Sequence, residues 1–215
     1  MVTCKKSVLG WFVLGAMLSM PFGDRLCSQE ELSITIVAGP NAAWAVTKKT
    51  GQEAKSGLGF SAGGGADVKI INRLGIEVQA VCSYNKADFK LTTFGGNYFA
   101  DGNQRIVFVD VPVLLTYKVG LGVPITLKAG GVLSWPIYAR TKNTSGSYAY
   151  SLRNEFFFQS MDHGLALGAQ IDISKRLGLD FRFHRGLNSL FRYYGTYNPG
   201  KAWRSTASTM IVVRL

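Results

Sequence analysis

Only two histidines, His163 and His184, stand in the 215 residues, and His184 has the company that acyl-transfer chemistry would use. Ser189 follows it as a hydroxyl nucleophile, and Asp180 precedes it as an orienting carboxylate. In such a set the imidazole takes the hydroxyl proton and the carboxylate holds the ring. No strained nucleophile motif surrounds Ser189, however, and His184 falls among other charges. The expectation is a lumen histidine in a protein that is not an enzyme, with no catalytic residue assigned. Metal chemistry has less support still. Two distant histidines and no ligand-spaced cysteines supply no first set of ligands, so no metal and no cofactor is expected. The glycine-rich stretch GLGFSAGGG (57–65) lies inside a strand pattern with no helix after it, which removes the context a phosphate loop needs.

The elements that carry these side chains are read best from GLALGAQIDISKRLGLDFRFHRG (164–186). Leu165, Leu167, Ala169, Ile171 and Ile173 alternate with polar or small residues. After a break at Lys175-Arg176, Leu177, Leu179, Phe181 and Phe183 resume the alternation. A period of two is that of a β-strand, and two such runs across a short polar break make a hairpin. The same period occurs eight times. The other runs are centred on Leu32–Ala38, Leu58–Ile70, Leu74–Tyr84, Val107–Tyr117, Val123–Trp135 and Ala207–Leu215. Pro112, on the inner side of its run, predicts a bulge or irregular pairing. Connections at Asn72, Gly120 and Lys175 are tight. Those at 45–57, 85–104, 140–161 and 185–204 are long and polar. Strict alternation of short and long predicts an all-β, eight-stranded antiparallel up-and-down transmembrane β-barrel, with short periplasmic turns and four long outer loops.

One face of these strands is apolar. The opposite face collects Asp67, Lys69, Glu77, Asp110, Lys128, Asp172, Asp180, Arg182, His184 and Arg214. An eight-stranded barrel is only wide enough for its side chains to fill, so these groups are expected to pair into a charge-plugged lumen rather than line a pore. Gly59, Gly63, Gly65, Gly75, Gly130, Gly168 and Gly178 on that face are expected to make room for them. Trp44, Phe60, Tyr84 and Trp135 fall on the apolar face at the long-loop ends. That is where an aromatic girdle meets a membrane interface.

Length and composition agree with one domain. Lys5, Lys6 and the short apolar run Val8–Met20, broken at Pro21, predict a secretory signal peptide over 1–28, cleaved after Ser28, before a barrel domain over 29–215. Cys82 is the only cysteine in that domain, so no disulfide framework is expected. The net charge of +11 is assigned largely to the long connections, through Lys48, Lys49, Lys55, Arg140, Lys142, Arg153, Arg185, Arg192, Lys201 and Arg204. Phe94, Tyr98, Phe99, Phe156–Phe158, Phe191, Tyr193, Tyr194, Tyr197 and Trp203 accompany them. Outer-membrane lipid and the phosphates of lipopolysaccharide are the expected partners, together with other envelope or secretion proteins. Nucleic acid is not.

The stretches GFSAGGGADVKI, LGIEVQAVCSY, VDVPVLLTYKV, ITLKAGGVLSW and HGLALGAQIDI–LGLDFRFHRGL resemble the outer-membrane β-barrel domain common in Bacteroidota, often labelled PorT-like. The VPVLLTYK strand, the AGG of the next one and the closing RGL element carry the resemblance across nearly all of the mature chain. Such barrels end in an aromatic residue, whereas this chain ends in Leu215. The resemblance implies an integral outer-membrane barrel and permits an accessory place in a secretion (PorT-like, type IX) or uptake complex. Beside a structural or surface-interaction role, two alternatives stay open: a lipid A-modifying enzyme, and a soluble lipocalin-like binder with its apolar face turned inward.

Overall fold

In a computed structural model the chain is described over residues 32–47, 52–54, 56–92, 99–121, 123–143, 161–189 and 202–215. The expected signal segment, its cleavage site and many of the loop residues named above lie outside these. Eight long strands run antiparallel to their chain neighbours: β1 (Leu32–Thr47), β3 (Gly57–Ile71), β4 (Leu74–Thr92), β5 (Phe99–Leu121), β6 (Val123–Asn143), β7 (Asp162–Asp172), β8 (Leu177–Gly186) and β9 (Ala202–Arg214). The three-residue β2 (Gln52–Ala54) pairs only with β4, on the part of that strand beyond the barrel proper. The sheet closes because β1 pairs with β3 on one side and with β9 on the other. Directly paired residues can be followed once around, from Ile34 through Ala66, Val78, Val113, Gly131, Leu165, Arg185 and Ser205. The path comes back to β1 at Trp44, ten positions from its start. That stagger in eight strands corresponds to a tilt of about 40°.

Which side faces out follows from the exposure of alternate residues. Leu32, Leu58, Leu165, Leu167 and Ile211 are exposed, whereas Glu77, Lys128 and Asp180 are buried. The soluble alternative required the reverse and is removed. The inner side also holds apolar clusters, Val37–Val81–Met210–Val212 and Leu114–Val132–Ala166. They fill the lumen around the charges.

Three expectations are corrected or sharpened in detail. The long connections are shorter than their polarity suggested, because β4 continues to Thr92, β5 starts at Phe99, β6 reaches Asn143 and β9 begins at Ala202. Beyond the bilayer both faces of a strand meet water, so the apolar alternation stops while the backbone pairing goes on. At Pro112 the irregular pairing is found, without a bulge. The β4–β5 ladder omits that position, passing from Val78↔Val113 to Val81↔Asp110 in unchanged register, as a residue without an N–H requires. The bulge lies nearby, where β6 gains Ile137 against Val107 and Phe108. The glycines divide into two kinds. At Gly75 and Gly178 a Cβ would press first on the side chains of Thr116 and Gln170, so there the missing side chain does make room. At Gly63 and Gly130 a Cβ would collide with the backbone of the neighbouring strand, so there glycine serves close approach of strands in a tightly curled wall.

Candidate functional site

The lumen is the one place where the strands converge ionisable groups. Inner positions recur every second residue, so closure brings together groups from strands far apart in the chain. Three layers result. In the middle layer Lys128 of β6 donates from Nζ to Glu77 Oε2 of β4 and Asp180 Oδ2 of β8, both at 2.6 Å. Arg182 Nη2 reaches Glu77 Oε1 at 3.1 Å and Asp180 Oδ2 at 2.9 Å. Its Nη1 donates to Gln79 Oε1 at 2.9 Å, while Gln79 Nε2 donates to Glu77 Oε1 at 2.7 Å. Two cations and two carboxylates thus cancel within one layer.

Toward the long loops, Arg204 of β9 grips Asp110 of β5 through two hydrogen bonds of 2.8 Å. Ser83 Oγ donates to the same carboxylate at 2.8 Å. The guanidinium lies over the Phe108 ring, 3.9 Å from its centre, and Nε donates to Thr206 Oγ1. Toward the short turns, Arg214 Nη2 meets Asp172 Oδ1 at 2.6 Å, and Gln170 Nε2 donates to that oxygen at 2.7 Å. Each of these layers is also neutral. Charges removed from water persist only when paired and hydrogen-bonded, and here the pairing is made layer by layer.

Of the ten predicted lumen residues, Glu77, Asp110, Lys128, Asp172, Asp180, Arg182 and Arg214 enter these layers. Asp67 and Lys69 lie on the inner side of β3 near the short turns and take no part in those ion pairs. His184 is buried between the outer and middle layers, against Gly164. Asp180, its supposed orienting carboxylate, is held by Lys128 and Arg182 instead. Arg204 is the main omission. The polar reading of 185–204 places it in a loop, yet it shares its inner side with Thr206 and Ser208. Counting the β9 alternation back from Ser208 by two inner positions reaches it. Asp162 is found the same way from Gly164. Buried at the start of β7, it accepts the Asn188 N–H and fixes the end of β8.

A cavity of about 40 Å³ separates the outer and middle layers, walled by Ser61, Ser83, Asp110, Arg182, His184 and Arg204. Val81, Pro112, Val132 and Met210 complete its lining, and its size is sufficient for a few water molecules beside the polar groups.

On the outer wall, Phe60 and Tyr84 are directly paired across β3 and β4 and exposed. Trp44 packs against Phe183 with ring centres 6.0 Å apart. Trp135 stands on β6, paired with Val109. All four lie on the apolar side at the long-loop ends, and Tyr117 marks the opposite rim.

The twofold grip on Asp110 makes Arg204 hard to replace even by lysine. Arg204→Lys keeps the charge but loses one of the two hydrogen bonds and the stacking on Phe108. We expect it to lower stability by about 1–2 kcal/mol, read as a lower denaturant midpoint in detergent with the barrel spectrum retained.

Residues 27–192 match the model of a family described as outer membrane protein beta-barrel domain. Among curated proteins none matches the chain in sequence. Three solved structures are similar at low identity. Neisserial surface protein A is 18% identical, covering 86% of this chain and 100% of that one, with a TM-score of 0.46. Ail, the attachment invasion locus protein of Yersinia pestis, is 13% identical over 87% and 100%, with a TM-score of 0.46. The outer membrane protein OprG from Pseudomonas aeruginosa is 12% identical over 87% and 98%, with a TM-score of 0.47.

Proposed function

Because the chain belongs to the outer membrane protein beta-barrel domain family and is an outer-membrane barrel, we propose that it is a non-catalytic wall protein, plugged by its own ion pairs, that acts through its outer rim and loops. One observation carries this reading: the three ion-paired layers of the lumen each neutralise themselves, so the charges that meet across the barrel are committed to one another. The absence of catalysis is supported further by His184. Its Nε2 is buried without a hydrogen-bond partner, and its would-be carboxylate is committed to two cations. Lipid and lipopolysaccharide are the proposed partners of the rim, with export by way of a signal peptide cleaved after Ser28.

The PorT-like resemblance of VPVLLTYK and the closing RGL hairpin supports a second reading, an accessory part of a secretion or uptake complex of the Bacteroidota type. Cell fractionation tests the first reading. The protein should stay in the outer-membrane pellet after carbonate washing and should run faster unheated than boiled on a gel. It should also show no channel steps in planar bilayers, and lipid A from expressing cells should be unaltered. Release by carbonate, or a lipid A change that His184→Ala abolishes, would overturn it. A deletion strain that retains secreted cargo in the periplasm would decide for the second reading.

A further inference from the structure

Just beyond the aromatic residues of the outer rim, two neighbouring strands bring cations side by side. Lys86 of β4 is paired directly with Arg105 of β5. Lys86 and Arg105 are exposed, while their chain neighbours Asn85 and Ile106 are buried in the lumen, so both point out of the barrel. The next row toward the bilayer is Tyr84↔Val107↔Tyr138, with both tyrosines exposed. Two residues of strand rise separate the rows, roughly 7 Å. The cations therefore sit at headgroup depth, directly above an interfacial aromatic band. The nearest acid on that side by register is Asp88, in the row beyond, paired with Asn103.

Like charges directly opposite one another weaken a sheet. Here Lys86 and Arg105 stand so, on a closed barrel whose interior pairs its charges layer by layer. An anion lying across the row would remove that repulsion, and guanidinium groups suit phosphate oxygens in particular. We propose that Lys86 and Arg105 form a phosphate-binding site on the outer wall of the barrel, occupied by headgroup phosphates of outer-leaflet lipopolysaccharide. The site rests on the outer-membrane reading above and deepens it by giving the lipid a place on the wall. A lipid occupant is favoured over a soluble anion because the row adjoins exposed Tyr84, Tyr138 and Ile137, an apolar bed for acyl chains.

The test uses the full-length protein in detergent micelles, titrated with bisphosphorylated lipid A and, separately, with the same lipid after phosphate removal. At roughly fivefold per cation near a charged surface, the wild type should prefer the phosphorylated form by about 25-fold. The Lys86→Gln/Arg105→Gln variant should lose that preference, and Arg105→Gln alone should lose about fivefold. A control that neutralises Lys48, Lys49 and Lys55 should keep it. Equal binding of both lipids by the wild type overturns the site. So does a preference that follows the control lysines, or inorganic phosphate competing as well as the lipid does. Heat-modifiable migration, recorded on every sample, reports the barrel itself, so a failure of the outer-membrane reading would appear there and not in the titration.

Discussion

Lys128→Met is expected to lower the unfolding free energy by about 3–5 kcal/mol, because it strips the shared cation from two buried carboxylates. Among the described residues Lys128 Nζ is the only group that contacts both Glu77 Oε2 and Asp180 Oδ2, each at 2.6 Å. Arg182 remains, but its Nη2 faces the other Glu77 oxygen and is shared already. The layer would hold two negative charges against one positive charge, in a lumen the strands close to bulk water. Adding Glu77→Gln to that background should restore more than half of the loss, since Asp180 and Arg182 then balance. The measurement is a double-mutant cycle from urea unfolding in detergent. Strictly additive losses would show that the layer does not act as a unit.

The same layer shows what the sequence disclosed and what it did not. Glu77, Asp180 and Arg182 could be put inside because each stands between apolar residues in a run of period two, and closure of an even number of strands does the rest. Which of them meet could not be read. Glu77 and Arg182 are 105 positions apart, and Asp110 and Arg204 are 94 apart. Their contact depends on the stagger that brings Ile34 round to Trp44, a quantity set by many registers at once. Parity also fails where contrast fails. Val81 and Leu114 point inward but stand beside other apolar residues, so nothing in the pattern separates them from the lipid-facing set. Above the bilayer the contrast vanishes in the other sense, so the pattern places Arg204 in a loop and gives β5 too short a span. Lys86 and Arg105 lie in the same zone, where strand reads as loop.

Leu167→Arg is expected to cost about 2–4 kcal/mol for folding into lipid bilayers, the penalty for arginine on the lipid face near the midplane. Leu167 is the exposed centre of an outward row, paired with Ala129 of β6 and Phe183 of β8, well between Tyr117 at one rim and Trp135 at the other. An exposed leucine on a protein that met water there would accept arginine at almost no cost, since surface substitutions away from special features stay within about half a kcal/mol. The position therefore separates the two orientations by the size of one number, without reference to any partner. A companion variant guards against a trivial explanation. Lys118→Leu, at an exposed site near the short turns, changes charge by the same amount outside the apolar belt and should leave stability nearly untouched. If Leu167→Arg folded into bilayers as readily as the parent, the outward leucines would not be facing acyl chains. The neutral layers inside would then need an explanation other than the absence of water around the barrel wall.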